Sequence, residues 1–238
     1  MPRIARIVIP DVSYHVTQRG NNRQGLFFVD DDRRVYLDLL VHYARLFALD
    51  VLGYALMTNH VHLVAVPRKD DSLAVALGRT HFRYAQYVNR LHRRSGHLFQ
   101  DRFFSCALDD AHAVEALRYV EQNPVRARMT RAPWTYEWSS AAAHVGGADP
   151  SGLLDLGAWL REWPPGEWRK VLGEPVKKPL LEAIRHSTMR GRPLGSDSFL
   201  SKVEKLLGRR VRALPEGRPR GWRKANVPKK HTGKGRNN

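Results

Sequence analysis

Two histidines, His60 and His62, stand two residues apart in a short apolar run of the chain. The run at 61–66 is typical of a β-strand, on which side chains two apart point to the same face. Both imidazoles would then lie side by side, where neutral ring nitrogens can share one metal ion. The alternative is that they are partly buried histidines whose nitrogens bond the backbone.

A tyrosine and an amide follow one turn apart on a segment with helical spacing. Tyr119 and Asn123 share a helix face with Glu115, and a separate stripe of the same helix is apolar. A phenol can act as a nucleophile, and an amide oxygen can bind a metal ion. The alternative is that Tyr119 is a core or rim aromatic and that Asn123 ends the helix before Pro124.

Net charge points to a polyanionic partner. The 238 residues include 40 Lys and Arg against 23 Asp and Glu, a formal net charge of +17. The excess lies mostly at the end, since residues 185–238 carry 16 Lys or Arg against three acids. Nucleic acid is the leading partner, although association with a ribosome or a membrane would give a similar bulk charge.

Cysteine content and hydropathy bound the class of protein. Cys106 is the only cysteine, which excludes an internal disulfide framework and a cysteine-rich zinc site. No stretch approaches the roughly 20 apolar residues of a spanning helix, and the N-terminus lacks the apolar core of a signal peptide. We expect a soluble, cytoplasmic protein with no membrane partner.

The elements that would position these side chains follow from the apolar periodicity and its breakers. The predicted strands are 12–18, 51–57, 61–66 and 103–108, and the predicted helices are 30–48, 72–93 and 109–123. Four strands with two crossover helices give the ferredoxin-like pattern, an antiparallel sheet with helices on one face and the third helix as an addition. The predicted fold class is therefore α+β, with a helical, basic C-terminal extension.

Four segments of the chain together resemble the single-tyrosine transposases of the IS200-like class, particularly the branch associated with repetitive extragenic palindromes (REP). They are Tyr-His-Val-Thr-Gln-Arg-Gly-Asn-Asn-Arg at 14–23, Met-Thr-Asn-His-Val-His-Leu-Val at 57–64, Gly-His-Leu-Phe-Gln-Asp-Arg-Phe at 96–103 and Arg-Tyr-Val-Glu-Gln-Asn-Pro-Val-Arg-Ala at 118–127. The resemblance covers about residues 20–140. It implies the HUH endonuclease fold and a DNA strand-transfer activity.

By that resemblance His60 and His62 match the family's metal-binding pair, Tyr119 its nucleophile and Asn123 its third, polar metal ligand. A phenol with an ordinary pKa of about 10 is a poor nucleophile at neutral pH, so a divalent ion, Mg²⁺ or Mn²⁺, would polarise the phosphate. Attack would leave a 5′-phosphotyrosine and a free 3′-hydroxyl. The covalent link retains the energy of the phosphodiester, so no nucleotide cofactor is expected, and the sequence contains no Gly-rich phosphate loop.

The resemblance and the local composition together divide the chain into three parts. We predict a catalytic domain at 1–145, a linker with short helices at 146–184 and a basic DNA-binding extension at 185–238 that is disordered at its end, from Gly217 onwards. Within the extension, Ser196 or Asp197 can cap a helix that carries Phe199 and Val203.

The predicted partner is single-stranded or hairpin DNA, bound by a monomer or a homodimer. Amides would contact base edges, and guanidiniums would contact phosphates or stack on bases. The predicted DNA-binding residues are Arg19, Asn21, Asn22, Arg23, Arg83, Arg90, Arg102, Arg192, Arg209 and Arg210. Each group has an alternative: the loop at 19–23 could be an ordinary surface turn, the arginines of the second helix could be a solvated helix face, and those of the C-terminal segment could be a non-specific basic tail.

Two other functions compete with the transposase. One is a domesticated protein that binds hairpin DNA without cleaving it. The other is a two-histidine RNA phosphoesterase, which His15 and Thr17 on the first strand suggest, because that class pairs two His-x-Thr or His-x-Ser motifs across a similar sheet. The intact His60, His62 and Tyr119 favour the transposase over both.

Overall fold

Four antiparallel strands form a single sheet in the computed structural model, which describes residues 7–212. They are β1 (Ser13–Arg19), β2 (Leu49–Met57), β3 (His60–Pro67) and β4 (Phe104–Leu108). The spatial order is β2-β3-β1-β4, with every neighbouring pair antiparallel. This order places β1 and β3 at the centre of the sheet.

Two crossover helices, α1 (Asp30–Leu46) and α2 (Ser72–Leu91), cover one face of the sheet. The first turn of α1 is held by Asp32, whose fully buried carboxylate accepts the backbone N–H groups of Phe28 and Val29 at 2.7 and 3.0 Å. The same carboxylate accepts the hydroxyl of Tyr87 on α2 at 3.1 Å. One side chain therefore caps α1 and ties it to α2.

The second face of the sheet is covered by α3 (Asp110–Glu121), together with α7 (Pro165–Gly173) and α8 (Lys178–Arg190). Asp109 caps α3 by accepting the backbone N–H of His112 at 2.9 Å. The close approach of α3 to the sheet depends on Gly53 of β2, since a Cβ there would lie 2.2 Å from Leu117 Cδ1. The sheet is thus covered on both faces.

The remaining helices are short, apart from α9 near the end of the described chain. They are α4 (Asn123–Arg126), α5 (Ala141–His144), α6 (Leu156–Glu162) and α9 (Asp197–Leu207). Ser196 caps α9 through its hydroxyl, and α9 packs on the N-terminal segment in a small cluster with Val203. No described helix has the length and apolar character needed to cross a lipid bilayer.

The predicted α+β fold class and ferredoxin-like strand order are confirmed. The two crossover helices share one face, as predicted, and α3 lies on the opposite face with α7 and α8. Helices do occur in the segment 146–184, where α6, α7 and the start of α8 lie, and α7 and α8 pack on the second face. The division into three domains stays a prediction, and the predicted disorder from Gly217 onwards falls outside the described residues.

A fully buried acid at the end of α3, the helix that carries Tyr119, bonds this helix to its neighbours. The carboxylate of Glu121 accepts hydrogen bonds from Ser140 Oγ, from His144 Nδ1 at 2.6 Å and from Trp168 Nε1 at 2.8 Å. Beside it, Gln122 donates to the carbonyl oxygens of Leu172 and Glu174. These bonds join the end of α3 to α5 and α7.

Replacing Glu121 with Ala should destabilise the whole fold. Three buried donors would lose their acceptor, so we expect the free energy of unfolding to fall by about 3 kcal/mol or more, as measured by urea denaturation. The control is Glu182→Ala, because Glu182 is exposed on α8, and its effect should stay within about 0.5 kcal/mol. Equal stability of the two variants would contradict the anchoring role of Glu121.

Candidate active site

His60 and His62 lie on the second face of the sheet, beside α3 and α8. Their rings are neighbours, with centroids 4.9 Å apart and planes nearly perpendicular, while the alternate residues Val61 and Leu63 enter the core of the first face. His15 on the neighbouring strand joins them, with its ring centroid 5.2 Å from that of His62. Strand alternation therefore places three imidazoles together.

Tyr119 of α3 lies against two of these imidazoles. Its ring centroid is 5.5 Å from those of both His15 and His62, in edge-to-face contact. Its side chain is buried, and the phenolic oxygen accepts a hydrogen bond from Arg185 Nε at 3.3 Å. The structure thus brings together the histidine pair and the tyrosine that the sequence predicted as functional residues.

Two guanidinium groups flank the phenol of Tyr119. Arg126 of α4 lies over the ring, with Cζ 4.3 Å from the centroid, and Arg185 of α8 lies at 5.8 Å. Arg126 Nη1 also donates to the backbone carbonyl oxygen of Tyr119 at 3.2 Å. Two positive charges therefore lie beside the phenol, where they could bind a phosphate group.

Asn123 is close to the tyrosine but belongs to a new helix. The predicted helix at 109–123 ends at Glu121, and Asn123 starts α4, in which Pro124 occupies the second position. The amide oxygen of Asn123 accepts a hydrogen bond from Arg126 Nη2 at 2.5 Å, and its buried Nδ2 has no partner among the described residues. To bind a metal ion, the oxygen would have to exchange Arg126 for the ion.

The environment of the three histidines favours their neutral forms. Burial lowers the pKa of His15 from 6.5 to about 3 and that of His60 to about 4, and the nearby charge of Arg126 acts in the same direction. Burial also lowers the pKa of His62 well below its ordinary value, with further contributions from the other two histidines. Neutral imidazoles are the form that binds a metal ion.

The stability of the protein should therefore fall with pH below about 6.5. In this range the unfolded chain protonates His15, whereas the folded chain keeps it neutral down to about pH 3. Because the unfolded state then binds more protons, His15 alone should lower the free energy of unfolding by about 1.4 kcal/mol per pH unit between pH 6 and 4. Urea titrations across this range measure the slope. His15→Gln removes this contribution, and an unchanged slope in that variant would contradict it.

The hydrogen bonds of Asn59 assign the tautomer of His60. Asn59 Nδ2 donates to the carbonyl oxygen of Arg23 at 3.1 Å, so its amide oxygen faces His60 Nδ1 at 2.7 Å and must accept. His60 Nδ1 therefore carries the proton, and its Nε2 keeps a lone pair. Across the described chain, no group of three or more His, Cys, Asp and Glu side chains is arranged to hold a metal. The third ligand would have to be Asn123, water or phosphate.

The loops that resemble the transposase family converge beside His60. Asn21 donates its backbone N–H to the carbonyl oxygen of Leu98 at 2.8 Å, and Gly20 forms an isolated bridge with Phe99. Leu26 donates in turn to the carbonyl oxygen of Thr58 at 2.8 Å. Three segments that are distant in sequence thus form one rim where β1 ends and β3 begins.

The predicted DNA-binding residues fall into three places. Arg19 pairs with His60 in the strand register, next to the 3₁₀ turn of Asn21, Asn22 and Arg23, in which Asn22 and Arg23 have φ of 50° and 61°. Exposed positions on α2 or in the loop after it carry Arg83, Arg90 and Arg102. The end of the described chain carries Arg192, Arg209 and Arg210, of which Arg192 is half-buried and donates to the carbonyl oxygen of Val211. Their DNA contacts stay predictions.

Several site residues were absent from the predicted set. Arg126 lies one turn after Asn123, a spacing that the sequence does display. His15 was considered only as part of a phosphoesterase motif, although strand alternation places it on the same face as His62. Arg185 and Thr188 come from α8, more than 60 residues after Tyr119, and no local pattern links them to it.

Comparisons with known proteins point to one family. The family model described as IS200-like transposase matches residues 8–123, which include His60, His62, Tyr119 and Asn123. No curated protein matches the chain at a significant level.

The solved structures similar to this chain include the following two. A REP-associated tyrosine transposase bound to a REP hairpin matches with a TM-score of 0.53 and 16% identity, over 66% of this chain and 90% of that one. A proposed transposase from Deinococcus radiodurans matches with a TM-score of 0.36 and 18% identity, over 51% of this chain and 97% of that one. The segment 8–123, just under half of the chain, therefore belongs to the IS200-like transposase family.

Proposed function

We propose that this transposase is a single-stranded-DNA endonuclease and religase of the REP-associated branch, with Tyr119 as its nucleophile. The observation that carries the proposal is the position of the Tyr119 phenol, against His62 and His15 and within hydrogen-bond distance of Arg185. A buried aromatic without a catalytic role would not need two flanking guanidiniums and two neutral imidazoles against its ring.

Tyr119 would attack a phosphodiester of the DNA. The bond from the phenolic oxygen to phosphorus forms as the bond from phosphorus to the 3′-oxygen breaks. The phenol loses its proton, and the departing 3′-oxygen gains one. The product is a 5′-phosphotyrosine with a free 3′-hydroxyl, and attack by another 3′-hydroxyl reverses the step without a nucleotide cofactor.

His60 and His62 would hold a divalent metal ion, Mg²⁺ or Mn²⁺, with Asn123 as a further ligand. When bound, the ion supplies Lewis acidity toward the phosphate. The neutral state of both rings and the lone pair of His60 Nε2 fit a metal ligand. The amide of Asn123 fits less directly, since its oxygen already bonds Arg126.

Arg126 and Arg185 would stabilise the charge that develops during attack. Both guanidiniums lie within 6 Å of the Tyr119 ring centroid, and both bond an oxygen of this residue. A guanidinium fixed beside the phenolic oxygen can donate hydrogen bonds to the oxygens of the phosphate that Tyr119 attacks. We assign both residues to transition-state stabilisation.

Hairpin-bearing single-stranded DNA is the proposed substrate. The solved neighbour is a complex with a REP hairpin, and the net charge of +17 suits a polyanion. The rim beside His60 carries the exposed side chains of Arg19, Asn22 and Arg23. A DNA strand bound to this rim could continue toward Tyr119. A phosphoesterase role is less well supported, because the Thr17 hydroxyl donates to the carbonyl oxygen of Val61 at 3.1 Å.

The test is formation of a covalent adduct. A pool of hairpin DNA oligonucleotides with randomised loops and flanks is incubated with the protein and Mn²⁺, labelled in parallel at the 3′ or the 5′ end. The 3′ label should migrate with the protein on a denaturing gel, and the 5′ label should appear on a shorter free strand. A pool without a complementary stem is the control. Cleavage without an adduct, especially of an RNA pool, would favour the phosphoesterase, and binding alone would favour the domesticated binder.

A further inference from the structure

We infer that His15 and Thr188 are positioning residues that fix the tautomer of His62, so that its Nε2 is presented to the metal ion. This inference rests on the proposed role of His62 as a metal ligand. It makes α8, a helix outside the segment matched by the family model, part of the catalytic machinery. It is carried by a chain of hydrogen bonds whose donors and acceptors can be assigned one after another.

The chain of bonds begins at a carbonyl group. Thr188 Oγ1 lies 2.7 Å from the carbonyl oxygen of Ile184, one turn earlier on α8. Two oxygens at this distance need a proton between them, and only the hydroxyl can supply it. The hydroxyl proton is thus committed to Ile184. Toward His15 Nδ1, at 2.7 Å, Thr188 can only accept.

The assignment then passes through His15. Its Nδ1 must donate to Thr188, so a neutral His15 ring has its lone pair on Nε2. That atom lies 3.0 Å from His62 Nδ1, and the two ring planes differ by only 14°. His62 Nδ1 must therefore donate to His15, and the lone pair of His62 is on Nε2.

The outcome is the same for both proposed metal ligands. Asn59 fixes His60 with the proton on Nδ1, and the pair of His15 and Thr188 fixes His62 in the same way. His62, His15 and Thr188 are all nearly inaccessible to solvent, with 5% of the residue exposed for His62 and 1% for His15 and Thr188. Partners that bond the other ring nitrogen commonly set the orientation and basicity of metal-ligating histidines.

Cys106 supports the position of Thr188. Its sulfur lies 3.2 Å from Thr188 Oγ1, and because the hydroxyl proton is committed to Ile184, the thiol donates. Cys106 also pairs with His15 across β1 and β4. The sheet and α8 thus hold the hydroxyl from two sides.

Direct binding of Mn²⁺, followed by electron paramagnetic resonance, tests the inference without relying on activity. Thr188→Val removes the hydroxyl with little change in shape, and we expect it to weaken Mn²⁺ binding by about 10-fold, while Thr188→Ser should restore it. His15→Leu should weaken binding by about 10-fold to 100-fold. Ser187→Ala, at the neighbouring position of α8, is the matched control and should bind Mn²⁺ as the wild type does.

The tautomer of His62 provides a second readout that needs no metal. Long-range ¹⁵N NMR of the metal-free wild type should show the proton on Nδ1, and Thr188→Val should shift part of the population to Nε2. A wild-type His62 protonated on Nε2, or Thr188→Val with unchanged tautomer and unchanged Mn²⁺ binding, would overturn the inference. If the wild type has the expected tautomer but binds no Mn²⁺, the hydrogen-bond chain from Thr188 to His62 is supported and the metal site of the proposed function is contradicted.

Discussion

Tyr119→Phe should form no covalent adduct with DNA. The substitution removes only the phenolic oxygen, the atom that would bond phosphorus, so cleavage should fall by a factor of about 10³ or more, to the background of the reaction without a nucleophile. The ring would keep its contacts with His15, His62 and Arg126, and it would lose one bond, from Arg185. We therefore expect the variant to remain folded and to bind hairpin DNA with the affinity of the wild type.

The measurement is a time course of adduct formation with the labelled hairpin pool, beside a gel-shift titration of binding. Tyr43→Phe is the control, because Tyr43 lies on α1, on the opposite face of the sheet, and its loss of a hydroxyl should leave the rate unchanged. An adduct that persists in Tyr119→Phe would move the nucleophile to another residue. Lost hairpin affinity in the same variant would show that the phenol serves recognition.

Removal of the metal site should have an effect of similar size. His62→Ala and His60→Ala each delete one proposed ligand, and we expect adduct formation to fall by about 100-fold to 1000-fold, the equivalent of several kcal/mol of transition-state stabilisation. EDTA should inhibit the wild type to the same extent, and added Mn²⁺ should reverse the inhibition. The double variant should lose no more than the single ones, since both histidines act on one ion.

His42→Ala is the control for the histidine variants, because His42 is exposed on α1, on the other face of the sheet. Its rate and its response to EDTA should match those of the wild type. Full activity of the wild type in EDTA would show that the reaction does not require a metal ion. Full activity of His62→Ala with inhibition by EDTA would place the ion elsewhere.

The periodicity of the sequence was sufficient to predict the sheet and the helices around it. Short apolar runs with clear breakers predict the four strands within one or two residues, and the aspartates at 30–32 mark the start of α1. His60 and His62 follow from the same information, because the alternation of a strand alone puts both rings on one face. Local patterns of this kind depend only on neighbouring residues.

The rest of the site depends on contacts that no local pattern encodes. Tyr119 meets the histidines because Gly53 leaves room for α3 on β2, a packing event between distant residues. The break between α3 and α4 at Gln122 was not predicted, since the side chain of Gln122 bonds backbone groups of Leu172 and Glu174, about 50 residues later. Arg185 and Thr188 reach the site only after α8 has docked.

The buried bonds of Glu121 and Gln122 have a consequence for the evolution of the chain. Glu121 and Gln122, which follow Tyr119, are bonded to α5 and α7, so the helix that carries the proposed nucleophile shares one interior with the part of the chain after residue 140. An ancestor that exchanged its C-terminal third for that of a relative would have left the carboxylate of Glu121 and the amide of Gln122 without their partners on Trp168, Leu172 and Glu174. Recombination between members of the lineage should therefore have been tolerated mainly after α9, and the two parts should have diverged together.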